Sequence, residues 1–471
     1  MRSYYTVDQV RAAEAELFTR TAEGVPMQRA AYGLAIAIAH ELRSRTGGIA
    51  ARRVTLLVGS GDNGGDALWA GSFLRKRGVR VDAVVLNPDR VHAKGLAALR
   101  GSGGRVVTSI GDPDLVVDGI VGISGTGPLR PDAAQLVSTV RAPIVAVDLP
   151  SGVDPNTGQV DGPAVHADVT VTFGALKPVH VLASAQCGRV QLVPIGLTLP
   201  PAGIAALEPA EIGALWPIPG PGDNKYTQGV VGISAGGSRY PGAAVLCCGG
   251  AVAATSGMVR YAGSAAAEVL HHYPEVVAAQ TVAKSGRVQA WVVGPGAGTD
   301  PAGRAALTEV LGTDLPVLVD ADGLNAVAQD PSLVKGRPAT VLTPHDGEFE
   351  RLSGYAPGAD RLAAAQWLAR DWGVTVLLKG RATIVASPDD ITLVNDAGGS
   401  WAATAGAGDV LSGIIGALLA SGGQPAVAAA MGARAHALAA NLAADNAPIS
   451  ASTLLTQVRP AIRVLRALGD R

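Results

Sequence analysis

The sequence predicts two α/β domains in tandem, each a mainly parallel sheet with helices on both faces. Three observations carry this. Apolar runs of strand length alternate with Ala-rich helical stretches, a dense proline segment interrupts them, and the alternation then begins again. At 471 residues the chain is long enough for two or three domains.

Before the interruption the runs are 54–58, 81–86, 115–117, 144–147 and 169–172. They are continuously apolar, as in strands buried on both faces. After it come 230–233, 291–293, 317–319, 341–343, 374–378 and 384–386. Between the sets lie Pro200-Pro201, Pro209 and Trp216-Pro217-Ile218-Pro219-Gly220-Pro221-Gly222, which read as a linker or extended connection. The expected domains are 1–208 and 209–471, both three-layer α/β/α, the first Rossmann-like.

Composition narrows the partners. The chain is 48% hydrophobic and 16% charged, so it is globular; aromatics are only 4%, so its cores must be Ala, Val, Leu and Ile packing. A net charge of −1 gives no basic field for nucleic acid or an anionic membrane, and small-molecule sites are expected instead. Cys187, Cys247 and Cys248 form no disulfide framework and read as small buried residues. The opening residues carry no signal-peptide pattern. The uncharged runs 240–259 and 410–433 are broken by glycine and proline, and read as loop plus buried helix. A soluble, cytoplasmic homo-oligomer is expected.

The most informative stretch is Ala403-Thr404-Ala405-Gly406-Ala407-Gly408-Asp409-Val410-Leu411. Gly-Ala-Gly lets backbone approach a ligand, and free amides at a helix start attract anions. A carboxylate there can take the proton from a hydroxyl attacking phosphorus. No Walker loop occurs, so the pattern points to phosphoryl transfer by another route. The plainer alternative is an N-capping Asp after a glycine turn.

In the first domain, strand 54–58 runs into Gly59-Ser60-Gly61-Asp62-Asn63-Gly64-Gly65-Asp66. This contains G-x-G-x-x-G, but the crowding of Asp62, Asn63 and Asp66 suits polar substrate or cation contacts better than a pyrophosphate turn. Further loops follow later strands: Asp118 to Leu129, Asp148-Leu149-Pro150-Ser151 and Thr172-Phe173-Gly174-Ala175-Leu176-Lys177-Pro178. Loops at strand C-termini are where open α/β sheets bind ligands.

In this order the loops resemble the NAD(P)H-hydrate epimerase family (the YjeF N-terminal domain) over about residues 4–200. The resemblance implies substrate contacts at Asp62, Asn63, Gly64, Gly65 and Asp66, along Gly122, Ile123, Ser124, Gly125, Thr126, Gly127 and Pro128, and at Asp148. It implies K⁺ held by oxygens of Asn63, Asp118 and Ser151, donors that suit a hard cation. Asp62 departs from the family's Asn, adding a negative charge beside that site. Epimerisation needs a proton given to the C6 hydroxyl so that ring N1 can expel water. Asp148 and Lys177 are the acid/base candidates, and Lys177 is equally open to a phosphate-contact role.

The second half resembles the ADP/ATP-dependent NAD(P)H-hydrate dehydratases, a branch of the ribokinase-like fold, over about residues 210–465. The resemblance rests on Asn224-Lys225-Tyr226, Gly236-Gly237-Ser238, Gly294-Pro295-Gly296-Ala297-Gly298, Asp320-Ala321-Asp322-Gly323, Thr343-Pro344-His345-Asp346-Gly347-Glu348 and Lys379-Gly380-Arg381-Ala382-Thr383, with the Asp409 segment. It implies hydrate contacts at Ala243, Gly296, His345 and Asp409. Nucleotide contacts are implied at Lys379, Gly380, Arg381, Ala382, Thr383 and Gly408. Asp346 stands where the family usually has Pro. Asp320 and Asp322 could touch Mg²⁺ through water or cap a helix.

The implied protein is a bifunctional repair enzyme for hydrated NADH and NADPH, with NAD(P)HX and an adenine nucleotide as ligands. Its first site would interconvert R and S forms. In its second, Asp409 would deprotonate the C6 hydroxyl of the S form for attack on the terminal phosphate of ADP, with Mg²⁺ and the Gly406–Asp409 amides taking up charge. N1 then expels phosphate in place of hydroxide and C5 loses a proton, giving NAD(P)H, AMP and phosphate. The alternative makes the second domain a small-molecule kinase and the first a non-catalytic nucleotide-binding module.

Overall fold

The computed structural model describes residues 1–125, 127–255 and 257–470. Two compact units divide the chain: Ser3–Ala202, and Met1–Arg2 with Gly203–Arg471. The division falls beside Pro200-Pro201. The later proline cluster lies inside the second unit, where Trp216 is buried and its indole N–H donates to Ala254 O (2.9 Å). Residues 204–206 also belong there, because Ile204–Ala206 pairs in parallel with Thr392–Asp396.

The N-terminal unit holds a seven-stranded sheet in the order Arg105–Val107, Arg80–Val85, Arg53–Val58, Leu115–Gly119, Ile144–Val147, Val169–Phe173, Arg189–Val193. Every pairing is parallel. Alternate side chains of one strand enter different cores. Leu56 and Val58 pack with Leu34, Ile38 and Leu68, whereas Leu57 packs with Val116, Ile120 and Ala146. Both faces are therefore covered, which is why these strands read as unbroken apolar runs. The chain order reverses between Arg53–Val58 and Leu115–Gly119. At their ends Gly59 is forced, since a Cβ there would lie 1.8 Å from Ile120 O.

The sheet of the C-terminal unit runs Ile204–Ala206, Thr392–Asp396, Ala382–Ala386, Thr375–Leu378, Thr340–Leu342, Val317–Val319, Ala290–Val293, Val230–Ser234, Met258–Ala262, Val277–Ala279. It is parallel except where Ala382–Ala386 pairs antiparallel with both Thr375–Leu378 and Thr392–Asp396. The connections there are too short for a crossover helix, so the chain must turn back on itself. Two apolar helices, Pro241–Ala254 and Ala407–Ala420, cross at glycines. A Cβ on Gly413 would sit 2.0 Å from Cys247 O, and one on Gly250 2.3 Å from Val410 O. Cys187, Cys247 and Cys248 are all buried. Among the described residues no helix is long and apolar enough to cross a membrane.

Candidate active sites

In the N-terminal unit the helix Asp62–Arg75 begins where the strand order reverses. Its first turn carries the expected residues. Asp62 is exposed, while Asn63, Gly64, Gly65 and Asp66 are buried. The Asn63 amide donates to Val121 O (3.2 Å) and Val147 O (2.5 Å), tying two strand ends together. Gly122 must be glycine, because a Cβ would lie 2.5 Å from Asn63 Oδ1. Asp118 is fully buried; it accepts from the Ile120 and Ser151 amides and from Ser151 Oγ (2.7 Å). Burial pushes its pKa up to about 6, against those hydrogen bonds. Asn63, Asp118 and Ser151 are thus one linked oxygen-rich network, Ser151 Oγ also accepting from Val121 N (3.0 Å).

The rest of the 122–128 loop is less uniform than expected. The Ile123 side chain packs against a small core of Leu149, Val153 and Val179. Ser124 Oγ accepts from Arg11 (3.1 Å). Gly125 and Pro128 complete the loop and Gly127 has φ 76°. Thr126 lies outside the described residues.

Asp148 follows strand Ile144–Val147 with φ 68°, a left-handed conformation rare for a non-glycine residue. Its carboxylate accepts from Lys177 Nζ (2.5 Å) and Thr172 Oγ1 (2.9 Å). Lys177 is 1% exposed and also donates to Thr172 Oγ1 and Ala175 O. An ammonium so enclosed serves Asp148 and cannot reach a phosphate in solvent. Burial alone would raise the Asp148 pKa, but Lys177 and the Thr172 hydrogen bond outweigh it and hold the group below the usual carboxylate range. Asp66 goes the other way. Burial, then the charges of Asp148, Asp62 and Glu14, push it well up, and its Oδ1 has no hydrogen-bond partner. Asp62, Asp66, Glu14, Trp69 and His92 line a cavity of about 770 Å³.

In the C-terminal unit, Gly406 (φ 85°) turns the chain into helix Ala407–Ala420, so Asp409 is the third helical residue rather than its N-cap. Burial, then Asp320, raises its pKa to about 7; Lys379 opposes this and Asp322 adds to it. Asp320 accepts from Lys379 Nζ (2.9 Å) and Ser412 Oγ (2.8 Å). Lys379 also pairs with Glu348 (3.4 Å). Neither Asp320 nor Asp322 caps a helix: Asp322 accepts from Gly298 N (2.9 Å), and helix Asp322–Gln329 has no side-chain cap. A Cβ on Gly408 would be 3.8 Å from both Lys379 Nζ and Asp320 Oδ2, so Gly408 faces this ionic cluster.

One cavity of about 520 Å³ gathers His345, Lys379, Gly380, Arg381, Thr383 and Gly408, with Asn395 and His436. Its size suits a nucleotide. Ala382, in strand Ala382–Ala386, is not among the lining residues, and neither are Ala243, Gly296 and Asp409. His345 caps its own helix, Nδ1 accepting from Gly347 N, and its ring is exposed. Asp346, the departure from Pro, pairs with Arg361, which holds Lys379 O (2.8 Å). Gly296 (φ 60°) abuts Ala243: its Cβ would be 2.7 Å from that of Ala243.

Sequence reasoning missed Glu14, Thr172, His180, Ser412 and His436. Apart from Thr172, which opens the turn at Gly174 (φ 71°), none sits in a glycine turn, and each is assembled by packing. Only His180, one helical turn after Lys177, carried a local signal.

Both units therefore present ligand cavities at strand C-termini, one lined by carboxylates and one built around a lysine, a glycine turn and a helix start. A family described as "NAD(P)H-hydrate dehydratase" matches residues 231–462. One described as "YjeF-related protein N-terminus" matches residues 24–179. The bifunctional NAD(P)H-hydrate repair enzyme Nnr of Mycobacterium tuberculosis is 63% identical over 427 residues, 90% of each chain. That of Mycobacterium leprae is 59% identical over 475 residues, 99% of this chain and 100% of the relative. A ribokinase-like superfamily protein of Enterococcus faecalis shares the fold, with a TM-score of 0.51, 23% identity, and coverage of 57% of this chain and 98% of its own. The chain belongs to the family of bifunctional NAD(P)H-hydrate repair enzymes.

Proposed function

We propose that the protein repairs hydrated NADH and NADPH, its N-terminal unit epimerising R and S NAD(P)HX and its C-terminal unit dehydrating the S form with ADP. The observation that carries this reading is the presence of both site sets in one chain whose relatives bear that name at 63% identity.

In the first site the Asp148 pKa is held down and that of Asp66 is pushed well up, so two carboxyls with pKa values pushed apart supply base and acid. Asp66 gives a proton to the C6 hydroxyl, N1 expels water, and Asp148 takes a proton from the water that adds back to the other face, solvent exchange then resetting both carboxyls. Lys177 keeps Asp148 charged. A K⁺ ion fits the Asn63–Asp118–Ser151 network, whose donors are oxygens and whose fully buried carboxylate has no salt-bridge partner among the described residues. There it would offset the Asp118 charge.

In the second site Asp409 takes the hydroxyl proton, and the amides at the helix start face the phosphate that is being transferred. Lys379 lies beside Gly408 to receive phosphate oxygens. The described residues hold no ready-made cluster of three metal-ligating side chains, and Asp320 already holds Lys379 and Ser412. This fits Mg²⁺ that arrives on the nucleotide and supplies charge neutralisation there. The protein would act as a cytoplasmic homo-oligomer.

The test is spectrophotometric. Both epimers of NADHX are mixed with protein, Mg²⁺ and K⁺, and the return of 340 nm absorbance is followed with ADP or ATP. Recovery of the S form with ADP, and of the R form faster than its spontaneous inversion, is the expected result. A stable phosphorylated product would instead make the second unit a kinase.

A further inference from the structure

We infer that His180 is a positioning residue of the epimerase site, one imidazole fixing the backbone of both Asp148 and Lys177. This rests on the epimerase reading above.

The Lys177 N–H donates to His180 Nδ1 at 2.9 Å. Nδ1 is thereby the acceptor, and the ring hydrogen sits on Nε2, which donates to Asp148 O at 2.8 Å. Both bonds are closed only by that neutral tautomer. The ring is 5% exposed and both of its nitrogens are engaged by backbone groups, so it acts through its partners and not on the substrate.

Asp148 needs such a hold. At φ 68° its backbone is in a region that persists only where the surroundings impose it. The turn is tight, with Leu149 N donating to Val147 O (2.8 Å). The Asp148 N–H is held by Val171 O and its carboxylate by Lys177 and Thr172. The carbonyl is held by His180. Without it the peptide after Asp148 can rotate, and the carboxylate moves with it. Lys177, two residues after the Thr172–Ala175 turn, loses its backbone tether in the same event. Lys177 and Asp148 are the charges that face the ring, and burial followed by Lys177 keeps it neutral, its pKa lowered to about 4.

The full chain is assayed without nucleotide, following conversion of purified R-NADHX to the S form by chromatography. A misplacement of about 1 Å costs about 100-fold, so His180→Ala should lower the epimerase kcat about 10- to 100-fold with KM within about twofold. His180→Gln can still donate to Asp148 O and should recover most of the rate. His180→Asn reaches only the Lys177 amide and should not. If the Ala variant fails to fold, the Gln and Asn variants decide: Gln faster supports the inference, and equal rates overturn it. A loss confined to KM also overturns it. Nitrogen-15 NMR of histidine-labelled chain reads the same arrangement without turnover, so it stands apart from the epimerase assignment. His180 should remain the Nε2–H tautomer from pH 8 to pH 5, and an Nδ1–H tautomer or an imidazolium at pH 6 would overturn it.

Discussion

Replacing Asp409 by Asn should make the C-terminal unit both inactive and more stable, and the two effects have one cause. Asp409 has a pKa raised to about 7, through burial and then Asp320, from an ordinary value of 3.8. Between those values the folded protein binds more protons than the unfolded chain. Stability therefore falls as pH rises through the window, and the loss is complete above pH 7. A shift of this size amounts to about 4 kcal/mol; partial exposure cuts it to about 2 kcal/mol. Asn cannot ionise and escapes the cost. At pH 8 the nucleotide-free variant should melt roughly 4–8 °C higher than the parent, and at pH 5 less than half of that gain should remain. Dehydration, read at 340 nm, should fall about 100-fold or more, with epimerisation unchanged. In the parent the dehydratase kcat should rise about tenfold per pH unit below 7 and then level off. A variant keeping more than about a tenth of the dehydratase rate, or gaining equally at both pH values, would refute the assignment.

Three further outcomes are expected. Gly413→Ala puts a methyl against a main-chain oxygen at 2.0 Å, where neither helix can yield, and should cost about 3 kcal/mol, seen as a lower denaturation midpoint of the C-terminal unit. Lys379→Met leaves Asp320 and Glu348 without their cation; nucleotide KM should rise about 100-fold, with a stability loss of about 3 kcal/mol, measured by initial rates and urea unfolding. Burial lowers the His436 pKa to about 4, so between pH 6.5 and 4 the unfolded chain binds the extra proton and stability is lost as pH falls. Tryptophan fluorescence, which reports mainly this unit because only Trp69 lies in the other, should show His436→Asn losing about 1–3 kcal/mol less than the parent between pH 7.5 and 4.5.

The strands that lie in the middle of each sheet were legible because burial on both faces writes itself as continuous apolar sequence. Edge strands such as Arg105–Val107 and Arg189–Val193 were not, since one half of each meets water and polar residues break the run. The antiparallel turn at 387–391 was also hidden: strand chemistry is the same in either direction, and only the missing crossover helix betrays it. At the sites, glycine turns and their carboxylates could be read directly, because Gly59 and Gly406 are demanded by backbone approach or a positive φ and Gly122 by the Asn63 side chain. What could not be read was state. Nothing in the residue order says that burial pushes the Asp66 pKa up, that Lys177 holds that of Asp148 down, or that Lys177 is sealed from solvent, because those follow from which groups the fold stacks around them.

The crossing of Pro241–Ala254 with Ala407–Ala420 has a consequence for how the dehydratase site comes into being. Ala243 rides on one helix and Asp409 on the other, and at Gly250 and Gly413 their backbones meet with no room for even a methyl group between them. Such a joint has no slack. Neither helix can slide or roll without driving a carbonyl oxygen into its neighbour, so Ala243 and Asp409, the residues proposed to meet the hydrated ring and to take its hydroxyl proton, are cut to a fixed gauge by the polypeptide itself. Ligands then enter a frame already set, and whatever motion turnover requires must be left to the surrounding loops.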